Sequence, residues 1–235
     1  MNIHIIKNFL LDLIFPRFCL GCQKELNLKQ ASFICETCFS KIALNGAEHH
    51  GKKNINEVWA AGKYQDPILR EMIHQFKYQS IESLKKPLAQ LMINYLEKVV
   101  NVGSSVFNIC NNSTVLTPIP LTWRRKLSRG FNQSELLAKE LSPVLNCPVV
   151  NLLKRREFSA PQARIEDWKK RKENISGAFE LSPPYPHLYR SRTSIQRVIL
   201  VDDVTTSGAT LEEVALTLKQ AGIKEIYGLV VATSD

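Results

Sequence analysis

Over the first fifteen residues the apolar positions recur at helical intervals, at Ile6, Phe9, Leu10, Leu13 and Ile14. The period predicts an amphipathic helix over 3–15 that Pro16 ends. Such a stripe fits docking on the chain's own core, and contact with a membrane surface or a partner is its other use. The polar stretch 45–56 reads as a linker, with His49 and His50 as solvated residues in it. Beyond residue 57 the pattern changes to strands alternating with helices. Strands are predicted over 58–64, 114–118, 148–152, 197–201 and 225–232. Helices are predicted over 67–76, 81–100, 132–141 and 209–220, the first capped by Asp66 with Pro67 in its first turn. The proline-broken stretch 182–192 reads as a loop. This alternation predicts an α/β fold with a mostly parallel sheet flanked by helices on both faces.

Composition adds bulk and charge to that picture. The chain has 235 residues, 44% of them hydrophobic, which is enough for a substantial core and excludes a disordered chain. The expected division is a small module over 1–50 and a larger α/β domain over 55–235. The formal net charge is +9. Most of the excess falls in 121–172, where 13 Lys and Arg face five Asp and Glu. A concentrated basic region attracts phosphate, on a small molecule or on nucleic acid. Lys7 and Asp12 interrupt the apolar N-terminus and no small-residue cleavage site follows, so no cleaved signal peptide is expected. No apolar run reaches bilayer length. The expected location is the cytoplasm, with peripheral attachment at the inner membrane face as the variant that the N-terminal stripe allows.

Four of the six cysteines, Cys19, Cys22, Cys35 and Cys38, are spaced C-x2-C-x12-C-x2-C. Two such knuckles supply the four-thiolate set that zinc prefers, with no open position for substrate, so the expected role is structural. Redox pairs and an iron–sulfur cluster are the alternatives. A module of this size has too little core to fold alone, and metal binding would supply the missing free energy.

The stretch 198–211, VILVDDVTTSGATL, carries the other chemical signal. A continuous apolar run predicts a central parallel strand. Asp202 and Asp203 stand at its carboxyl end, where open α/β sheets bind ligands. Thr205, Thr206, Ser207, Gly208, Ala209 and Thr210 then lead into a helix. A helix N-terminus offers unpaired N–H groups to phosphate, Gly208 permits close approach, and the hydroxyls add donors. Paired carboxylates accept from ribose hydroxyls, directly or through magnesium. N-capping alone would account for one aspartate.

This stretch resembles the phosphoribosyl pyrophosphate signature of type I phosphoribosyltransferases, with Ser207 where many members carry Thr. A narrower resemblance covers nearly the whole chain. The four cysteines, Phe76-Lys77-Tyr78, Arg129-Gly130-Phe131-Asn132-Gln133, Pro161-Gln162, and Arg171-x-x-Asn174 with Gly177 and Phe179 are together similar to the ComF family. That family couples a zinc ribbon to a phosphoribosyltransferase-like domain and is associated with DNA uptake in natural competence. Ser80 stands where the family often has Gly, and Glu157 where a basic residue is common.

The resemblance implies phosphoribosyl pyrophosphate with Mg2+ as ligand, a structural Zn2+, and single-stranded DNA and other competence proteins as partners. Asp202 and Asp203 would hold the ribose, the 205–210 loop the 5-phosphate, and Lys77 and Arg129 the pyrophosphate. Tyr78, Asn132 and Gln133 would line the same pocket. Arg124, Arg125, Lys126 and Arg129 suit a lid over pyrophosphate. Lys169, Lys170, Arg171 and Lys172 beside Trp168 suit single-stranded nucleic acid. Two readings stay open: an enzyme transferring ribose 5-phosphate, and a binding module that holds a ribose phosphate and DNA.

Overall fold

The computed structural model describes residues 16–26, 32–46, 48–50, 53–101, 110–157, 177–183 and 195–234. The expected N-terminal helix, Pro161-Gln162, Trp168 with its basic run, Arg171, Asn174 and most of the 182–192 loop lie outside them.

A five-stranded sheet organises the fold. Its strands are β1 (Glu48–His50), β2 (Glu57–Lys63), β3 (Thr114–Pro118), β6 (Arg197–Thr205) and β7 (Glu225–Thr233), in the order β1-β2-β7-β6-β3. Every neighbouring pair is parallel except β1 with β2. A two-stranded antiparallel sheet joins β4 (Leu153–Arg155) to β5 (Phe179–Leu181). The helices are α1 (Glu36–Phe39), α2 (Pro67–Tyr78), α3 (Lys85–Asn101), α4 (Trp123–Arg129), α5 (Gln133–Leu145) and α6 (Ala209–Gln220). This is the mostly parallel α/β architecture that the sequence predicts.

Each central strand is apolar on both faces because both faces are covered. Trp59, Leu116, Ile199, Val201, Leu229 and Val231 pack with residues of α2, α3 and α5. The alternate positions Val58, Val115, Val198, Leu200 and Val230 pack with α6 and with Leu153 and Phe179 of the small sheet. Cys19, Leu26, Ile34, Cys38 and Ile42 join the first of these cores, so the cysteine module rests against the α2–α3 side.

Local signals set the element ends. Asp66 accepts from the N–H groups of Ile68 and Leu69 at 2.9 and 3.0 Å, a cap that contributes about 1 kcal/mol. Helix α2 runs on to Tyr78, which carries Lys77 to the carboxyl edge of the sheet.

Four elements differ from expectation. Strand β6 continues through Asp202 and Asp203 to Thr205, because its pairing with β7 persists to Thr233. Pro148 has no N–H, and the 148–152 segment keeps one bridge, Val149 to Leu116, before the strand forms at 153–155. Helix α4 buries none of its residues and therefore has no apolar stripe to reveal it. Strand β1 falls inside the expected linker, His49 and His50 pairing with Val58 and Glu57. An edge strand needs only backbone partners on one side, so no apolar alternation marks it. No helix among the described residues is long and apolar enough to cross a membrane.

Candidate functional site

Two constellations of polar and ligating side chains are set into the edges of this fold. The first is the cysteine module. The ligand atoms of Cys19, Cys22, Cys35 and Cys38 all lie within 4.8 Å of one another. The Cys22 and Cys35 sulfurs are 3.9 Å apart, against about 3.8 Å for the edge of a tetrahedron with zinc–sulfur bonds of ~2.3 Å. The N–H groups of Gly21 and Cys35 each donate to Cys19 Sγ at 3.4 Å. Gly21 is required for closeness: a Cβ there would stand 2.8 Å from Cys38 Sγ. Burial raises the Cys19 thiol, but the N–H bonds to its sulfur outweigh that and bring it down to about 6. Burial, with the neighbouring thiols, pushes Cys38 up to about 12. Four crowded thiols therefore cannot all ionise without a cation among them, and the donor set fits zinc.

The second constellation lies at the carboxyl edge of β6. Successive strand residues turn to opposite faces. Asp203 is buried and pairs with Lys77 Nζ at the end of α2, Oδ1 to Nζ 2.8 Å. Asp202 is half-buried; its Oδ1 accepts from Ser134 Oγ and from the Asp203 N–H, each at 2.9 Å. Burial and the adjacent Asp203 charge hold the Asp202 carboxyl up at about 7, against the pull of the Asp203 N–H, Lys77 and Ser134. Thr205 is a buried strand residue, and Thr206 and Ser207 are exposed beyond it. Gly208 takes φ 72°, the left-handed conformation that glycine adopts without steric cost, and starts α6. The N-cap position of α6 is Gly208 itself, which has no side chain to cap the first-turn N–H groups.

A second network joins the ends of α2 and α4 to the start of α5. The Arg129 guanidinium lies 5.3 Å from the Tyr78 ring centroid and donates to Gln133 Oε1 at 3.2 Å. Ser80 adopts φ 55°, and its hydroxyl donates to the Arg129 carbonyl at 2.9 Å. That conformation explains why glycine suits the position. Asn132 and Gln133 have structural partners. Asn132 accepts from the Ser134 N–H and donates to the Ile119 carbonyl, while buried Gln133 donates to the Phe76 carbonyl at 3.4 Å.

The structure thus brings Lys77, Asp202 and Asp203 together, with Tyr78, Arg129 and Gln133 as one neighbouring network. Thr206, Ser207 and Gly208 form the turn from Thr205, the last residue of β6, to Ala209 and Thr210 at the start of α6. Sequence reasoning missed Ser134 and Arg155. Ser134 sits one residue beyond the Arg129–Gln133 run, in the first turn of α5. Arg155 is half-buried on β4, within electrostatic range of Asp202 and Arg125.

No family model matches the chain. Among curated proteins it is 31% identical over 231 residues to Competence protein F of Haemophilus influenzae, covering 96% of this chain and 90% of that one. It is 26% identical over 212 residues to Competence protein ComFC of Bacillus subtilis, covering 88% and 79% of the two chains. It is 29% identical over 156 residues to DNA utilization protein YhgH of Escherichia coli, covering 66% and 63%. An identity of 31% across nearly the whole of both chains is decisive: the chain belongs to the ComF family.

Proposed function

We propose that the carboxyl edge of β6 binds a ribose 5-phosphate, as phosphoribosyl pyrophosphate with Mg2+, and that the protein acts in the handling of DNA during natural competence. The observation that carries the first part is the join of Asp202 and Asp203 to the start of α6 through the Gly208 turn. The two carboxylates would accept from the ribose hydroxyls or hold the cation. The N–H groups over 206–210 and the adjacent hydroxyls would surround the 5-phosphate. Lys77, which bonds Asp203, would meet the next negative charge along the ligand. The DNA role rests on the names of the relatives, two of them competence proteins and one a DNA utilization protein. The cysteine module would hold a structural zinc ion.

With pyrophosphate as leaving group, positive charge would grow on the sugar in the transition state. The carboxylates beneath it would favour that charge, and Lys77 and Arg129 the departing anion. A second reading, a binding module without transfer, has its own observation. Trp123, Leu127 and Tyr78 are 55%, 76% and 61% exposed, among Arg124, Arg125, Lys126 and Arg129. Exposed aromatics with guanidinium groups suit stacked bases and phosphates of single-stranded DNA.

Calorimetric titration with phosphoribosyl pyrophosphate and Mg2+ tests the pocket, and pyrophosphate release across candidate acceptors separates the readings. Binding abolished in Asp202→Ala and Asp203→Ala supports the pocket; affinity unchanged in both rejects it. Silence in the release assay, together with salt-sensitive DNA binding, favours the module over the enzyme.

A further inference from the structure

Lys154, Arg155 and Arg156 are consecutive, and strand alternation separates them. Lys154 and Arg156 are about half exposed and both reach Glu180, at 3.1 Å each. Arg155 has the other environment. Its guanidinium lies 5.2 Å from the Phe179 ring centroid, and no carboxylate among the described residues pairs with it. Burial, then the nearby Arg125 charge, lowers its pKa, with Asp202 and Glu157 acting the other way. It stays charged, because a guanidinium does not deprotonate in proteins. Glu157 is anchored elsewhere: its Oε1 accepts from the Trp123 N–H at 2.7 Å. That bond also holds the start of α4, and with it Arg125, against the end of β4.

A half-buried cation without an ion pair, beside a second cation, is costly unless an anion completes it. The aromatic ring orients the guanidinium plane and leaves its N–H edge for a planar or tetrahedral oxyanion. Position adds direction. Lys77 belongs to α2, which packs on one face of the sheet, whereas Phe179 belongs to the core on the other face. Arg155 therefore stands on the face of the sheet opposite Lys77, within electrostatic range of Asp202.

We propose that Arg155 forms a second oxyanion subsite of the pocket, distinct from the 206–210 loop and lying across the aspartates from Lys77. The inference rests on the ribose-phosphate reading. The oxyanion is either a phosphate of the leaving group or a carboxylate on an incoming acceptor. In both cases the guanidinium would grip it in a bidentate contact, with Arg125 adding charge.

The test is calorimetric titration of the Mg2+-loaded protein, first saturated with ribose 5-phosphate, with inorganic pyrophosphate in one arm and benzoate in the other. Wild type is compared with Arg155→Leu and Arg155→Lys, both checked for unchanged melting. Arg155→Leu is expected to weaken one of the two anions at least tenfold, with ribose 5-phosphate within twofold of wild type and partial recovery in Arg155→Lys. Loss of the pyrophosphate arm assigns the subsite to the leaving group; loss of the benzoate arm assigns it to the acceptor. Equal affinities in wild type and Arg155→Leu for both anions, or binding of neither anion by wild type, overturn the subsite. Failure of wild type to bind ribose 5-phosphate instead rejects the pocket, and the two anion arms are then read without it.

Discussion

The cysteine module and the β6–α6 turn both place charge-bearing side chains close together, but different forces hold them. The four thiols sit in a segment with little core of its own, on the flank of the α2–α3 side. The aspartate pair hangs from a strand hydrogen-bonded on both sides, whose preceding residues Val198–Val201 are fully enclosed. On the proposed reading the first site would be assembled by its metal, whereas the second is already held by the sheet and would receive a ribose phosphate. Substitutions should therefore unfold the first and only empty the second.

The largest effect should come from the metal. Chelation, or Cys38→Ser, should release one zinc per chain, measured by atomic absorption. It should lower the melting temperature by on the order of 10 °C, since several kcal/mol of binding energy is folding energy there. A protein that holds no zinc as purified, or melts unchanged without it, would erase the contrast. Next, Asp202→Asn and Asp203→Asn should each weaken phosphoribosyl pyrophosphate binding by about tenfold or more, roughly the loss of one charge-assisted hydrogen bond. Asp202→Asn should keep the melting temperature within a few degrees, while Asp203→Asn should lose somewhat more stability because it strands Lys77.

The pH response should be smaller. With its folded pKa raised to about 7, Asp202 holds an extra proton in the native state from about pH 4, the unfolded range, up to about pH 7. Its contribution to stability therefore falls as pH rises through that window. Ligand affinity runs the other way, because a cation or ribose hydroxyl needs the carboxylate. Affinity for the Mg2+ complex should rise by about tenfold between pH 6 and 8, and that extra rise should vanish in Asp202→Asn. The smallest effect belongs to Ser80→Gly. It removes left-handed strain of roughly 1 kcal/mol but also the bond to the Arg129 carbonyl, so a denaturation curve should shift by less than about 1 kcal/mol.

The sequence made the sheet legible because its strands are buried on both faces and its helices carry ordinary caps. The cysteine spacing and the paired aspartates were legible because each needs its residues adjacent in the chain. What pattern reading missed depends on contacts across long separations. Ser134 reaches Asp202 from 68 residues away. Arg155 differs from Lys154 and Arg156 only in which way its strand turns it and in whether Glu180 is within reach. Helix α4 escaped because solvent surrounds it, and the bonds of Asn132 and Gln133 to the Ile119 and Phe76 carbonyls exist only once the chain has folded.

The most direct test is a crystal structure of the full chain grown with phosphoribosyl pyrophosphate and Mg2+. The 5-phosphate should lie on the N–H groups of 206–210, and the ribose hydroxyls, or the cation they share, on Asp202 and Asp203. A ligand bound away from the β6–α6 turn, or a crystal soaked at saturating ligand with Asp202 and Asp203 untouched, would contradict that placement.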